Sequence, residues 1–129
     1  MTRLLLLFAG MVAGSAATAV ALGGQASRPA DAVTVSPQLY TVKLDNPRVR
    51  VLEYSLAPGQ VEPMHSHGSF VVRFLGDARI RATTPDGQST ESAVARGDVG
   101  WRDPFAHTVQ NVGKTPVEAV LVEVKPCGK

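Results

Sequence analysis

The chain has 129 residues, 13 Lys and Arg against 11 Asp and Glu, a formal net charge of +2, three histidines and one cysteine. A near-neutral balance without a basic block gives no support for a nucleic-acid partner. A single cysteine, Cys127, excludes an intrachain disulfide.

Residues 1–26, MTRLLLLFAGMVAGSAATAVALGGQA, open with one positive charge at Arg3 and continue as an apolar run from Leu4 to Leu22 that becomes rich in Ala and Gly. That is the layout of a secretory signal peptide, with small residues offering cleavage after Ala21, Ala26 or Ala32. The alternative is an uncleaved membrane anchor, because the run is nearly long enough to span. No twin-arginine pair precedes the run; no Cys directly follows it, which argues against a lipid-anchored protein. The expected location is therefore secreted or periplasmic, with membrane contact only through this segment if it is retained. Residues 27–38, SRPADAVTVSPQ, read as a flexible leader, and residues 39–125 as one domain with a modest core.

After residue 30 no apolar period of a helix is visible, and no helix longer than about two turns is expected past residue 35. Short apolar runs recur instead. In chain order the expected strands are 39–44, 49–56, 60–65, 70–75, 78–84, 90–95, 98–101, 105–111 and 117–124. DNP, APGQ, PDGQ, RGD and NVGK separate them. Val and Thr enrichment with Gly, Pro, Asn and Asp at the joints is a strand-and-turn signature. Many short strands at this spacing indicate an all-β sandwich or barrel.

The segment PGQVEPMHSHGSFVV holds two of the three histidines, His65 and His67. Residues two apart on a strand share a face, about 7 Å apart along it. Two neutral imidazoles so placed can converge on one ion at roughly 2.1 Å each. Alone, the HxH pattern reads equally as two polar residues on a solvated strand.

The surroundings add to this. Gly59, His65 and His67 give G-x5-H-x-H; downstream, His107 stands ten residues after Gly97, and Asn111 four after His107. The pattern, over about residues 45 to 124, resembles the two motifs of the cupin superfamily. The resemblance implies an antiparallel jelly-roll barrel, a double-stranded β-helix, whose two motifs lie on neighbouring strands. It places His65, His67 and His107 on the family's metal-ligand positions. It departs from the family where a Glu ligand is usual: Val71 stands there, and Ala78, Arg102 and Pro104 replace motif Gly and Pro residues. A three-His site remains, of a kind some cupin dioxygenases use. Fe(II) suits it best, and nickel, manganese, copper or zinc are alternatives. Such a site keeps the ion's full charge and favours an anionic small-molecule ligand. Within the superfamily the chain looks most like small single-domain cupins without the Glu, one group of which is linked by name to β-alanine degradation. Cupins often pair through sheet edges, so a homodimer is the expected assembly.

Continuing the parity of His65 and His67 puts Ser69, Val71 and Arg73 on the inner face, if no bulge intervenes. Arg73 then faces the cavity and clamps a carboxylate; otherwise it lies at the barrel end, paired with Glu53 or Glu123. Phe70, Trp101 and Phe105 are candidates for a ligand-binding pocket mouth, or else core. Asn111 is expected to make a structural hydrogen bond at a turn. No Ser-His-Asp arrangement or phosphate loop is present. Three functions remain: an oxygenase-like metal enzyme acting on a small oxygenated or carboxylated molecule, a non-enzymatic metal or ligand binder, and a scaffold with vestigial histidines.

Overall fold

A computed structural model describes residues 27–127, so the expected signal segment, 1–26, lies outside the described residues. The nine strands are β1 (Tyr40–Asp45), β2 (Val49–Leu56), β3 (Val61–His67), β4 (Ser69–Phe74), β5 (Ala78–Thr83), β6 (Ser89–Val94), β7 (Val99–Arg102), β8 (Phe105–Asn111) and β9 (Val117–Val124). Each falls within two residues of an expected run. The turns match as well: Gly59, Gly87 and Gly97 adopt φ of 77°, 86° and 88°, a left-handed conformation that costs glycine little.

Two antiparallel sheets face each other. One has five strands in the order β1-β2-β9-β4-β7, the other four in the order β3-β8-β5-β6. The period of two then sorts each strand. On β2, Leu52, Tyr54 and Leu56 point inward; on β4, Phe70, Val72 and Phe74; on β9, Val117, Ala119 and Leu121. Val109 and Ala78 meet them from the smaller sheet. Each large apolar side chain so buried contributes about 1.5–3 kcal/mol, which suits a domain that has no disulfide. At the turn before β9, Asn111 Nδ2 donates to the carbonyls of Leu56 (2.9 Å) and Thr115 (2.8 Å), and its Oδ1 accepts from the Gly113 amide (3.0 Å). The turn hydrogen bond expected of Asn111 is thus three bonds from a fully buried side chain.

The segment 27–38 is not a bare connector. Ala32–Val35 form one helical turn, α1, followed by a 3-10 turn, Pro37–Leu39. Ala32 and Ser36 are fully buried, and Asp31 bridges to Ser66 on β3. The composition of the segment reads as loop because its anchors are supplied by β3 and β2, far along the chain. Among the described residues no helix is long and apolar enough to cross a membrane.

Candidate metal centre

β3 and β8 pair directly, with His65 opposite His107 and His67 opposite Phe105. This pairing brings the third histidine back across forty residues of chain. One nitrogen from each of His65, His67 and His107 can be chosen so that all three lie within 4.8 Å of one another. His65 and His67 are buried.

The hydrogen bonds fix which nitrogens are available. His65 Nδ1–H donates to the Pro63 carbonyl at 2.8 Å. His67 Nδ1–H donates to Glu123 Oε1 at 3.2 Å. A neutral imidazole with its proton on Nδ1 carries its lone pair on Nε2. The two Nε2 atoms face each other at 3.0 Å. Two lone pairs cannot hydrogen-bond to each other. Nitrogens bound to one ion at roughly 2.1 Å and at right angles are about 3.0 Å apart. The His107 ring stands beside them, 4.7 Å from the ring of His65 and 5.6 Å from that of His67, and its buried Nδ1 has no hydrogen-bond partner. A divalent cation therefore fits the donor set: two oriented lone pairs at ligand spacing and a third ring with a buried nitrogen left unsatisfied.

Burial keeps His65 and His107 neutral near pH 7. Burial, with the neighbouring rings, lowers the His65 pKa to about 4 and that of His107 to about 3. An unfolded histidine titrates near 6.5. Below that pH the unfolded chain takes up protons that the fold excludes, so the metal-free protein should lose stability as pH falls from about 7, levelling off near pH 3. Glu62, raised by burial, acts in the opposite sense and offsets part of this. The expected net loss is on the order of a few kcal/mol. Thermal melts of metal-free protein between pH 7 and pH 4 check it; a flat or rising melting temperature would contradict it.

Two carboxylates beside the histidines are not placed there by the sequence reading. Glu62 is fully buried, 3.4 Å from His65 Nδ1, and accepts a 2.9 Å hydrogen bond from the Tyr54 hydroxyl. With His65 held neutral and Glu62 raised by burial, the contact is not an ion pair. Strict alternation sets Glu62 and His65 on opposite faces, but the register shifts between them, and such a bulge turns both inward. Glu123 shares the inward parity of Val117, Ala119 and Leu121. A charge at a core position on the last strand was a legible signal.

The inner-face expectation for Ser69, Val71 and Arg73 is corrected. β3 and β4 belong to different sheets, so parity does not carry across Gly68, and Phe70, Val72 and Phe74 point inward. Arg73 is exposed and makes no ion pair with Glu53 or Glu123; those carboxylates pair with Lys43 and Arg50. Val71, half-buried, has Trp101 and Val122 as strand neighbours. Val71→Glu should accordingly leave divalent-ion affinity within about twofold, as outward substitutions do; a metal titration showing clear tightening would refute this. Trp101 is 52% exposed and bonds Asp103, away from the histidines. Phe70 and Phe105 do lie at the centre, their rings 4.8 Å from His67 and 4.4 Å from His107. With Val72, Phe74, Leu121 and Arg102 they line a cavity of about 100 Å³ that reaches His67 and His107.

No family model matches the chain. A crystal structure of a double-stranded β-helix domain protein from Klebsiella pneumoniae, 21% identical, superposes with a TM-score of 0.55 over 78% of this chain and 79% of that one. A cupin domain from Bordetella pertussis is 31% identical, with a TM-score of 0.63, 77% of this chain and 97% of that chain covered. The chain belongs to the cupin superfamily. It is similar to the β-alanine degradation protein BauB of Pseudomonas aeruginosa, at 34% identity over 86 residues, 66% of this chain and 90% of that protein.

Proposed function

We propose that the protein is an exported cupin in which His65, His67 and His107 hold one divalent ion, Fe(II) before nickel, manganese, copper or zinc. It would bind a small carboxylated or oxygenated molecule for oxygenase-like chemistry. The observation that carries this reading is the pair of Nε2 lone pairs 3.0 Å apart beside His107. When bound, the ion supplies Lewis acidity or electrons. The chain's own residues do the rest. Pro63 and Glu123 set the tautomers of His65 and His67. Phe70, Phe105 and Val72 give the cavity apolar walls, and Arg102 lines the same cavity as a cation for an anionic ligand. A volume of about 100 Å³ is well below the ~300–1,000 Å³ of drug-sized pockets, so the ligand is small. The relative's name ties that protein to β-alanine degradation. Three-carbon carboxylates of that kind fit this size and are the first to try.

A second reading, a non-enzymatic metal or ligand binder, is favoured by one observation. Glu62 is the single carboxyl among the described cavity residues, and it stands against Tyr54. Metal analysis of the exported protein, followed by oxygen uptake with three-carbon carboxylates, tests both. One ion per chain with oxygen consumption supports the enzyme. One ion without turnover supports the binder. No ion and no divalent affinity would leave only a scaffold.

A further inference from the structure

The segment ahead of β1 holds the metal centre from behind. Arg50 on β2 forks between two carboxylates: Nη2 and Nη1 reach Asp31 at 2.6 and 3.2 Å, and Nε reaches Glu123 at 2.6 Å. Glu123 then accepts the His67 Nδ1 proton at 3.2 Å. The same segment grips the backbone around His67. The Ser66 amide donates to the Ala30 carbonyl at 2.9 Å and Ser66 Oγ to the Pro29 carbonyl at 2.6 Å, while the Arg28 guanidinium donates to the His67 carbonyl. Ring and backbone of one histidine are thus both tied to residues 28–31.

We propose that residues 28–31 are a strap that positions His67, with Asp31 and Arg50 as positioning residues acting through Glu123. Without Asp31, Arg50 is free to swing away from Glu123 or to take both of its oxygens, and the acceptor that fixes the His67 tautomer moves. A planar fork shared by two carboxylates has one geometry that satisfies both. Outer hydrogen bonds to ligating histidines commonly set metal affinity by 10–100-fold. The inference rests on the metal reading above for its affinity consequence, but the strap's hold on the ring stands apart from it.

The test uses the full chain and Asp31→Ala, Asp31→Asn and Asp31→Glu. In metal-free protein, ¹⁵N shifts of the His67 ring should show a protonated Nδ1 and a bare Nε2. Asp31→Ala and Asp31→Asn should average the two nitrogens, and Asp31→Glu should restore the split. Co(II) titration should show affinity falling in Asp31→Ala, by less than the about 10–100-fold expected of a direct partner such as Glu123, with recovery in Asp31→Glu. Should Asp31→Ala fail to fold in a thermal melt, Asp31→Asn, which keeps the side-chain shape, is read in its place. An unchanged ring signature together with unchanged Co(II) affinity would overturn the strap and leave the metal reading intact. A native chain that binds no Co(II) would overturn the metal reading, and the ring signatures would still decide the strap.

Discussion

His107→Leu should abolish divalent-ion binding and at the same time raise the stability of the metal-free protein. The His107 ring is pressed against Phe105 at 4.4 Å and His65 at 4.7 Å, with its Nδ1 buried and unpartnered. An unsatisfied buried polar atom costs about 1–3 kcal/mol. A leucine of similar bulk removes that cost and fills the same space among Phe105, Val109 and Ile80. Removing one ligand of three should weaken metal binding by more than about 100-fold, beyond the effect of an outer-sphere change. Melting temperature without metal, beside a Co(II) titration, reads both effects. A less stable metal-free variant would show that the ring is satisfied in a way that the geometry does not reveal. Retained affinity would remove His107 from the ligand set.

Asn111→Ala should be among the most damaging single changes in the domain, at about 2–4 kcal/mol. It strands the Leu56 and Thr115 carbonyls and the Gly113 amide together, at the junction of β8 with the turn to β9. β9 lies between β2 and β4 at the middle of the larger sheet, so a loosened entry to it is felt on both sides. At about 4–8 °C per kcal/mol for a domain of this size, the melting temperature should drop by roughly 10 °C or more. A drop of only a degree or two would mean that water replaces the side chain.

Both residues were visible in the sequence, and they were visible for the same reason. His107 and Asn111, four residues apart, match the second motif of the cupin resemblance, although the stretch from Gly97 to His107 is one residue shorter than that motif. The nine strands were legible because Val- and Thr-rich runs alternate with turn residues that tolerate positive φ. What failed was parity extended across an element boundary. Gly68 joins strands of opposite sheets, and the inward set changes there from His65 and His67 to Phe70 and Val72. Glu62 was hidden by a bulge that reverses the alternation. Asp31 and Arg50 were hidden for a different reason: an ion pair between residues 19 apart leaves no local pattern. Arg73 was chosen as the cavity cation on parity alone, whereas Arg102, counted there only as a missing motif proline, is the arginine that lines the cavity.

The buried turn at Ala32 bears on maturation. Three small residues, Ala21, Ala26 and Ala32, offer places to trim the leading segment. Cuts after Ala21 or Ala26 leave Arg28 to Asp31 in place. A cut after Ala32 would have to reach a residue with no exposed surface, and its product would carry Arg50 with Asp31 gone. Folding therefore covers the one candidate cleavage point whose use would remove Asp31 from behind the histidine cluster. If the leading segment is a signal, a peptidase acting on the folded chain would meet this barrier at Ala32, while one acting before folding would not. On that reading, the order of trimming and folding would decide whether the mature chain keeps Asp31, the carboxylate that shares Arg50 with Glu123.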